Sequence, residues 1–256
     1  MGAVARRRLR EGLSPVLFVA ALLLAWEIAA RAFGISKFVA PKPSEILPIF
    51  AQRGSEILPH AIQTLSTTLA GFVVGVALGF TLGVALGASR RFYAMVFPTL
   101  IGVNSIPKVA IVPLLVLWAG IGTVPAVVTS AVIVIFPIAV VVSASIATMD
   151  AELADVLRSL GAGRLLALAK VGVPQSMPAF FGALKVAITL SFIGSILAES
   201  VAANRGLGFM MNRAASDFDV ELVYSGLLSL AAMGIALYLA SLALERRLLG
   251  WADRRG

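Results

Sequence analysis

The sequence predicts an all-α, polytopic membrane protein that crosses the bilayer about six times. Of its 256 residues, 59% are hydrophobic and only 13% are charged, whereas a soluble domain carries roughly 25% charged residues. One soluble core cannot bury so much apolar surface, so lipid is the expected solvent. No stretch alternates apolar and polar residues as the strand of a barrel would, which favours helices.

Six segments reach the length of a membrane helix, which needs about 20 mostly apolar residues. The first has a basic start like that of a signal peptide but lacks a clear cleavage site, so we expect a retained anchor. We expect one transmembrane domain over residues 1–256, with its core at about 61–245 and a basic N-terminus at 1–12. The predicted spans are 13–33, 61–89, 92–118, 123–148, 175–203 and 222–244.

The basic residues predict the orientation of the chain. Six spans place both termini on one side of the membrane, and the segments on that side hold 13 of the 21 lysines and arginines. The segments on the other side hold six. Because loops on the cytoplasmic side carry the excess of positive charge, we expect both termini and the 149–174 loop to lie in the cytoplasm.

The composition also argues against several classes of site. The chain has no cysteine and a single histidine, His60, so disulfides, thiolate metal sites and histidine-rich metal sites are not expected. No Ser/His or paired-aspartate set lies within the spans, so we expect no catalytic residue, no cofactor and no metal. A net charge of +8 is explained by basic loops on one side, so nucleic acid is not an expected partner.

Glycines recur at every fourth position of the second predicted span. Such a ladder leaves one face of a helix without side chains, so another helix can approach closely. We therefore predict tight helix packing at these positions, although the sequence does not say whether the partner helix belongs to the same chain. The ladder consists of Gly71, Gly75, Gly79, Gly83 and Gly87.

The third predicted span contains polar residues and two prolines, Pro107 and Pro113. Proline removes a backbone donor and kinks a helix, and broken helices at membrane depth occur where they line a watery cavity or contact protein. Asn104 and Lys108 lie at this break. Because ionisable residues within spans are candidates for function, we predict that both line a translocation pathway. The alternative is that Lys108 lies at the edge of the span.

Glu199 is a third candidate for the pathway, because it ends the fifth predicted span in the sequence LAES. Its carboxylate could line a gate, pair with Lys185 or Arg205, or lie in water. A positive Lys108 would attract an anionic solute, although a charge in a cavity can also serve the structure alone.

The loop between the fourth and fifth predicted spans contains an amphipathic helical pattern. Asp150 can cap a helix that begins at Ala151, and Gly161 is a natural stop. A second short run, Arg164 to Val171, precedes Pro174. The apolar stripe of the first helix could pack on the protein's own spans, lie on lipid headgroups or dock in a groove of another protein. The stripe consists of Leu153, Val156, Leu157 and Leu160.

This loop resembles the cytoplasmic signature of binding-protein-dependent ABC importer permeases. That signature reads Glu-Ala-Ala, three residues, Gly, nine residues, then Ile-x-Leu-Pro. Aligning Gly161 places Asp155, Val156 and Leu157 on the triplet and residues 171–174 on the final part, with the Gly-to-Pro spacing preserved. The triplet departs from the signature, because Asp replaces Glu and Val and Leu replace the two alanines.

Other segments resemble the nitrate/sulfonate/taurine-type branch of these permeases in order and spacing. The resemblance covers roughly residues 40 to 251. It is carried by PKPSEIL before the second span, the glycine ladder, IPKVAIVPLLVLWAGIG, FPI at 136–138, LAES at 197–200 and GLG at 206–208.

The resemblance implies a permease subunit in the inner (cytoplasmic) membrane, surrounded by lipid and paired with a second copy. A cytoplasmic ABC ATPase would supply energy, and an extracytoplasmic binding protein would deliver an anion or a small heterocyclic vitamin or precursor. The chain has no G-x-x-x-x-G-K-[ST] phosphate loop, so it is not expected to be an enzyme. The alternative is an ATP-independent secondary transporter or channel, whose site would be the break in the third span.

The resemblance also implies that the loop helix docks in a groove on the ATPase. Docking and elbow positions would be apolar or glycine, and two arginines would contact the rim of the groove. Those arginines could equally serve as positive-inside anchors. The residues implied in coupling are Asp155, Leu157, Arg158, Leu160, Gly161 and Arg164.

Overall fold

The protein is helical throughout the part that the structure describes. A computed structural model describes residues 2–149, 156, 159, 161 and 163–249, with only the backbone for 2–16, 164, 246, 248 and 249. These residues contain no strand, so the all-α class is confirmed. The elements are α1 (Gly2–Ala32), α2 (Pro43–Ala88), α3 (Arg90–Ser105), α4 (Lys108–Ala119), α5 (Thr123–Ala147), α6 (Arg164–Ala167), a π-helical turn (Leu168–Gly172), α7 (Val173–Ala202), α8 (Leu207–Ser216) and α9 (Val220–Leu249).

Within the described residues, four helical segments are long and apolar enough to cross a membrane. They are α2, Thr123–Ala147, Leu165–Ala202 and Val220–Glu245. A fifth is added if α3 and α4, which meet at a bend of 91°, count as one broken span. The first predicted span, 13–33, overlaps α1 and is not among these. The structure therefore does not confirm the count of six, although the other five predicted spans coincide with these helices.

Helix α2 begins near residue 43 rather than near 61, where the sequence places the start of the second span. Its first part is short and holds two prolines, Pro43 and Pro48, and the polar run from Gln52 to Glu56 separates it from the long apolar stretch. This first part ends at Arg53, whose backbone is non-helical at φ −119° and ψ 16°. The guanidinium of Arg53 lies 2.8 Å from the carboxylate of Glu56 and also pairs with Asp219. These ion pairs fix the side chain at the kink.

The chain folds as two compact units, and the smaller consists of the residues up to Leu58 together with Met210–Ser229. In this unit the carboxylate of Glu27 on α1 accepts hydrogen bonds from the backbone N–H (3.0 Å) and the hydroxyl (2.8 Å) of Ser44. Ser44 lies in the first turn of α2, where backbone donors have no partner within the helix. A side chain of α1 therefore caps α2. The expectation of a single domain stays a prediction.

The larger unit, Pro59–Phe209 with the residues from Leu230 onward, contains the glycine ladder. A Cβ built on Gly75 would lie 2.7 Å from the carbonyl oxygen of Ala131, and one built on Gly83 would lie 2.7 Å from the Cβ of Val142. Side chains do not tolerate such distances, so the backbones of α2 and α5 approach this closely only because glycine stands there. The partner helix, which the sequence alone did not determine, is α5 of the same chain.

Hydroxyl groups connect α2, α5 and α7 near the ladder. The Ser191 hydroxyl of α7 donates to the carbonyl of Thr68 on α2 (2.8 Å), and the Ser130 hydroxyl of α5 donates to the carbonyl of Ser191 (2.6 Å). All three residues are buried. In a bilayer each unpaired polar group costs several kcal/mol, so these bonds satisfy the hydroxyls of Ser130 and Ser191 and join α7 to both α2 and α5. The buried hydroxyl of Thr68 has no hydrogen-bond partner among the described residues. The adjacent apolar core consists of Val134, Ile138, Val142, Ile146 and Ala187.

We expect Gly79→Leu to destabilise the protein. A Cβ at Gly79 would lie 2.8 Å from the carbonyl oxygen of Ile135 and 2.9 Å from the Cβ of Ile138, so a leucine forces α2 away from α5. Overpacking of this kind lowers the free energy of unfolding by about 1–3 kcal/mol. Thermal denaturation of the purified protein in mild detergent measures the loss.

Gly182→Leu is the matched control, because a Cβ at this helical glycine meets no atom within 4 Å. It should leave the denaturation temperature close to that of the wild type. An equal loss for both variants would contradict the assigned contact between α2 and α5.

Candidate functional site

A sharp bend separates α3 from α4. Proline disfavours the helical conformation of the residue before it, and Ile106 is accordingly extended, at φ −69° and ψ 127°. Helix α4 then begins at Lys108, directly after Pro107. The sequence thus breaks the helix at the position where it places its polar residues.

Asn104 and Lys108, which we call the bend site, are in direct contact. The Lys108 ammonium donates to the side-chain oxygen of Asn104 (3.1 Å) and to its backbone carbonyl. Carbonyls in the last turn of a helix lack partners within the helix, and a cation there is favourable. Asn104 is exposed, Lys108 is only partly buried, and α3 has no buried residue among those described. The bend site is therefore open on the surface of this chain.

Glu199, the third predicted pathway residue, lies in a different environment. It is 1% exposed, and its hydrogen-bond partners do not include Asn104 or Lys108. Its Oε2 accepts from the Thr64 hydroxyl (2.6 Å), and its Oε1 accepts from the hydroxyls of Thr67 (2.9 Å) and Ser195 (3.3 Å). We call Glu199, Thr64, Thr67 and Ser195 the Glu199 cluster. It joins α7 to α2 inside the protein.

The GLG segment, residues 206–208, lies against the Glu199 cluster. The N–H of Gly206 donates to Nδ1 of His60 (3.0 Å), the N–H of Leu207 to the Thr64 hydroxyl (2.8 Å) and the N–H of Gly208 to Glu199 Oε2 (3.3 Å). The first residues of α8 thus find acceptors for backbone donors that have none within that helix. The LAES and GLG segments, recognised separately in the sequence, form one structure.

Sequence reasoning missed the hydroxyl partners of Glu199. Thr64 and Thr67 are three residues apart on α2, and Ser195 and Glu199 are four apart on α7, so each pair shares a helix face. That spacing was the available signal. It does not indicate that the two faces meet, because serine and threonine within spans often bond to their own helix.

Lys185, considered in the sequence as a partner for Glu199, pairs instead with Glu245 of α9. Its ammonium lies 2.9 Å from the carboxylate, and the two side chains are 28% and 21% exposed. Glu245 also lines an apolar groove of about 160 Å³ between α2, α7 and α9. The ion pair therefore joins α7 to α9 at the end of this groove.

The coupling positions fall largely outside the described residues. Asp155, Leu157, Arg158 and Leu160 are not described, and Arg164 begins α6 with its side chain outside the described set. Gly161 is exposed in a turn with φ +82°, a conformation that favours glycine. An elbow at this position agrees with the geometry of the backbone.

A π-helical turn, Leu168–Gly172, connects the loop to α7. The N–H of Val173 donates to the carbonyl of Leu168, five residues back. Pro174 follows in the first turn of α7; it has no N–H to donate, and its ring would crowd the carbonyl four residues back in an α-helix. A cavity of about 270 Å³, lined by residues that include Leu168 and Met149, lies beside this turn.

Residues 75–250, well over half of the chain, match the family model described as the binding-protein-dependent transport system inner membrane component. The chain belongs to this family. The permease is thus a transport subunit of the ABC importer class, and the resemblance drawn from the loop signature is confirmed. Because the chain belongs to this family of ABC importers, the alternative of an ATP-independent transporter or channel, which the sequence left open, is rejected.

Relatives of the permease extend over nearly its whole length. The riboflavin transport system permease protein of Chloroflexus aurantiacus is 34% identical over 90% of this chain and 87% of its own length. The formylaminopyrimidine transport permease protein of Halalkalibacterium halodurans is 28% identical over 97% of this chain and 100% of its own length. The taurine transport system permease protein of Escherichia coli is 27% identical over 91% of this chain and 87% of its own.

Solved structures support the fold of the permease. A chain of the inward-facing MetNI methionine ABC transporter superposes with a TM-score of 0.63 at 19% identity, covering 74% of this chain and 94% of that one. A chain of an amino acid ABC transporter superposes with a TM-score of 0.59 at 18% identity, covering 81% and 97%. At these identities the likeness concerns the fold alone.

We expect Lys185→Met to destabilise the permease, because it leaves the half-buried Glu245 carboxylate without its cation. The loss should be about 1–2 kcal/mol in the free energy of unfolding, between the values for exposed and for fully buried pairs. Thermal denaturation in detergent measures it. The exchanged pair, Lys185→Glu with Glu245→Lys, should recover most of the loss. An exchanged pair that is no more stable than Lys185→Met would exclude a charge interaction.

Proposed function

We propose that the permease works as a homodimer whose two copies enclose the path of a small solute. A separate cytoplasmic ABC ATPase drives transport, and an extracytoplasmic binding protein delivers the solute. The solute class is a nitrate-, sulfonate- or taurine-like anion, or a small heterocyclic vitamin or its precursor. The observation that carries the proposal is the open bend site on a helix without buried residues.

The bend site supports a second copy as partner. An amide and an ammonium at membrane depth face protein or water rather than lipid, yet Asn104 and Lys108 are not enclosed by their own chain. Apolar side chains of α4 are also exposed: the exposed fraction is 79% for Leu117 and 78% for Trp118. A second permease packed on α3 and α4 would cover the apolar residues and enclose the polar ones around a shared path.

The segment between α5 and α7 supports docking of an ATPase. Because the sequence contains no phosphate-binding loop of its own, the energy for transport comes from another subunit. On α6, Leu165 is 81% and Leu166 48% exposed, and this helix follows the Gly161 elbow on the side expected to face the cytoplasm. Exposed leucines at an elbow fit a groove on a soluble partner.

The relatives and Lys108 together support the solute class. The relatives' names include riboflavin, formylaminopyrimidine, taurine and aliphatic sulfonates, which are small polar solutes and in part anionic. A lysine at the bend site provides positive potential on the path, which would favour an anion by Coulomb attraction.

We expect Gly161→Asp to prevent docking of the ATPase. Aspartate is strained at φ +82° and introduces a negative charge at the elbow, so the loop helix loses its orientation. The ATPase that co-purifies with the wild-type permease in mild detergent should be absent or strongly reduced. Deletion of residues 151–161 should have the same effect.

Gly34→Asp is the matched control. Gly34 also has positive φ, +59°, with no atom within 4 Å of a built Cβ, but it lies in a loop expected on the opposite side of the membrane. Its ATPase yield should equal that of the wild type. If Gly161→Asp retained the ATPase in full, or if the wild type brought down none, the docking proposal would fail.

We expect Lys108→Gln to weaken the apparent affinity for an anionic solute by about five-fold, the effect of roughly 1 kcal/mol of screened attraction. Uptake is measured in membrane vesicles that contain the complete transporter, with a panel of taurine, an aliphatic sulfonate, riboflavin and formylaminopyrimidine. Lys108→Arg keeps the charge and should retain the wild-type affinity. Equal affinities in Lys108→Gln and the wild type would remove Lys108 from the pathway.

A further inference from the structure

The Glu199 cluster holds a buried carboxylate without a cation. Every hydrogen-bond donor that contacts Glu199 within the described residues is a hydroxyl or a backbone amide, and no lysine or arginine is among its partners there. A buried charge costs much free energy unless it is fully hydrogen-bonded. Oε2 lies within hydrogen-bond distance of the Thr64 hydroxyl and the Gly208 N–H, and Oε1 of the Thr67 and Ser195 hydroxyls, which are also bonded to each other. These hydroxyls and the amide take the place of a counter-ion.

Thr64 joins the carboxylate of Glu199 to the GLG segment. The Thr64 hydroxyl accepts the N–H of Leu207 (2.8 Å), and its own proton has two acceptors, Glu199 Oε2 at 2.6 Å and the His60 carbonyl at 3.2 Å, of which the carboxylate is the nearer. Thr64 thus connects the carboxylate to the GLG segment, while Gly208 reaches the same oxygen directly (3.3 Å). A carboxylate can accept all of these bonds. The side-chain amide of a glutamine would instead place its NH₂ group, which donates hydrogen bonds, against groups that are themselves donors.

The glycines of the GLG segment are fitted to the carboxylate. Gly206 has φ +116°, and a Cβ there would overlap the carboxyl group of Glu199. A Cβ on Gly208 would lie 2.6 Å from the carbonyl oxygen of Ile196 and 3.0 Å from the Cβ of Glu199. The segment therefore closes over Glu199 only with glycine at both positions.

We propose that Glu199 is a positioning residue, which clamps residues 206–208 to α2 and α7 so that movement of α7 is transmitted to the turn at 203–206 that follows it. The proposal rests on the transport function proposed above. Helix α7 has 30 residues and is about 45 Å long at 1.5 Å per residue. Its first turn follows the coupling loop, and Glu199 lies in its last turn. Asn204 and Arg205, directly before the clamp, are exposed and would move with it.

Glu199→Gln tests the clamp, with Ser191→Ala as the matched control. Ser191 is likewise buried on α7 and bonded to α2, at the carbonyl of Thr68 (2.8 Å), but it does not bond to the GLG segment. Hydrogen exchange of the backbone amides of 206–208 in the purified transporter should accelerate about ten-fold or more in Glu199→Gln, because a charge-assisted bond is lost. Ser191→Ala should leave exchange there unchanged.

Uptake of the four solutes named above is measured in native cells that carry each variant in place of the wild-type gene. Glu199→Gln should co-purify with the ATPase in the wild-type amount but lose most of its uptake per assembled transporter. A purely structural role would instead lower the amount of assembled transporter and leave the uptake of each one unchanged. Thr64→Val should resemble Glu199→Gln, and Thr64→Ser, which restores the hydroxyl, should recover exchange and uptake.

Three results would overturn the clamp: unchanged exchange at 206–208 in both Glu199→Gln and Thr64→Val, unchanged uptake per transporter, or no recovery in Thr64→Ser. Failure of the proposed function looks different, because the wild type itself would then bring down no ATPase or take up none of the panel. In that case the exchange measurements still decide whether Glu199 holds the segment, and unchanged exchange overturns it.

Discussion

The close approach of α2 to α5 is the constraint on which the larger unit depends. With glycine at every fourth position, the backbone of α2 comes within reach of carbonyl oxygens and of the serine, valine and isoleucine side chains of α5. The hydroxyl bonds from Ser191 to the Thr68 carbonyl and from Ser130 to the Ser191 carbonyl then hold α7 against both α2 and α5, because a hydrogen bond fails beyond about 3.5 Å. The apolar core around Val134 and Ile138 then fills the remaining space. The glycine contact between α2 and α5 and the serine bonds of α7 thus act together to hold the three helices.

The pair of helices α3 and α4 in the same chain is largely exposed, unlike this packed bundle. Helix α3 has no buried residue among those described, and α4 exposes Leu117 and Trp118. The packed bundle and the exposed, bent helix pair thus differ in kind within one chain, and in the proposed dimer it is the bent pair that a second copy would cover. The polar atoms of Asn104 and Lys108 lie on the exposed surface of this pair, which is why the proposed function places them on the path of the solute.

Hydropathy was sufficient to predict the helical class and five of the apolar segments, because burial in lipid selects for composition over some 20 residues. Hydropathy did not reveal the start of α2, since the apolar stretch before Arg53 is short and a polar run at 52–56 separates it from the long one. The spacing of the glycines predicted which face of α2 lacks side chains, but this spacing does not identify the helix that packs against that face. Glu199 stood out as a charge near the end of a span. Its contact with Thr64 joins residues 135 positions apart, and only the fold brings such pairs together.

The π-helical turn at Leu168–Gly172 sets how the side chains of α6, which precede it, are rotated about the helix axis relative to α7. Each residue advances an α-helix by about 100°, so a turn that holds one extra residue rotates the preceding side chains by about that angle relative to a continuous helix. The face that α6 presents is therefore set by residue count in this turn as much as by the identity of its leucines. Relatives could change that face with a single insertion or deletion here while leaving every contact of α7 intact.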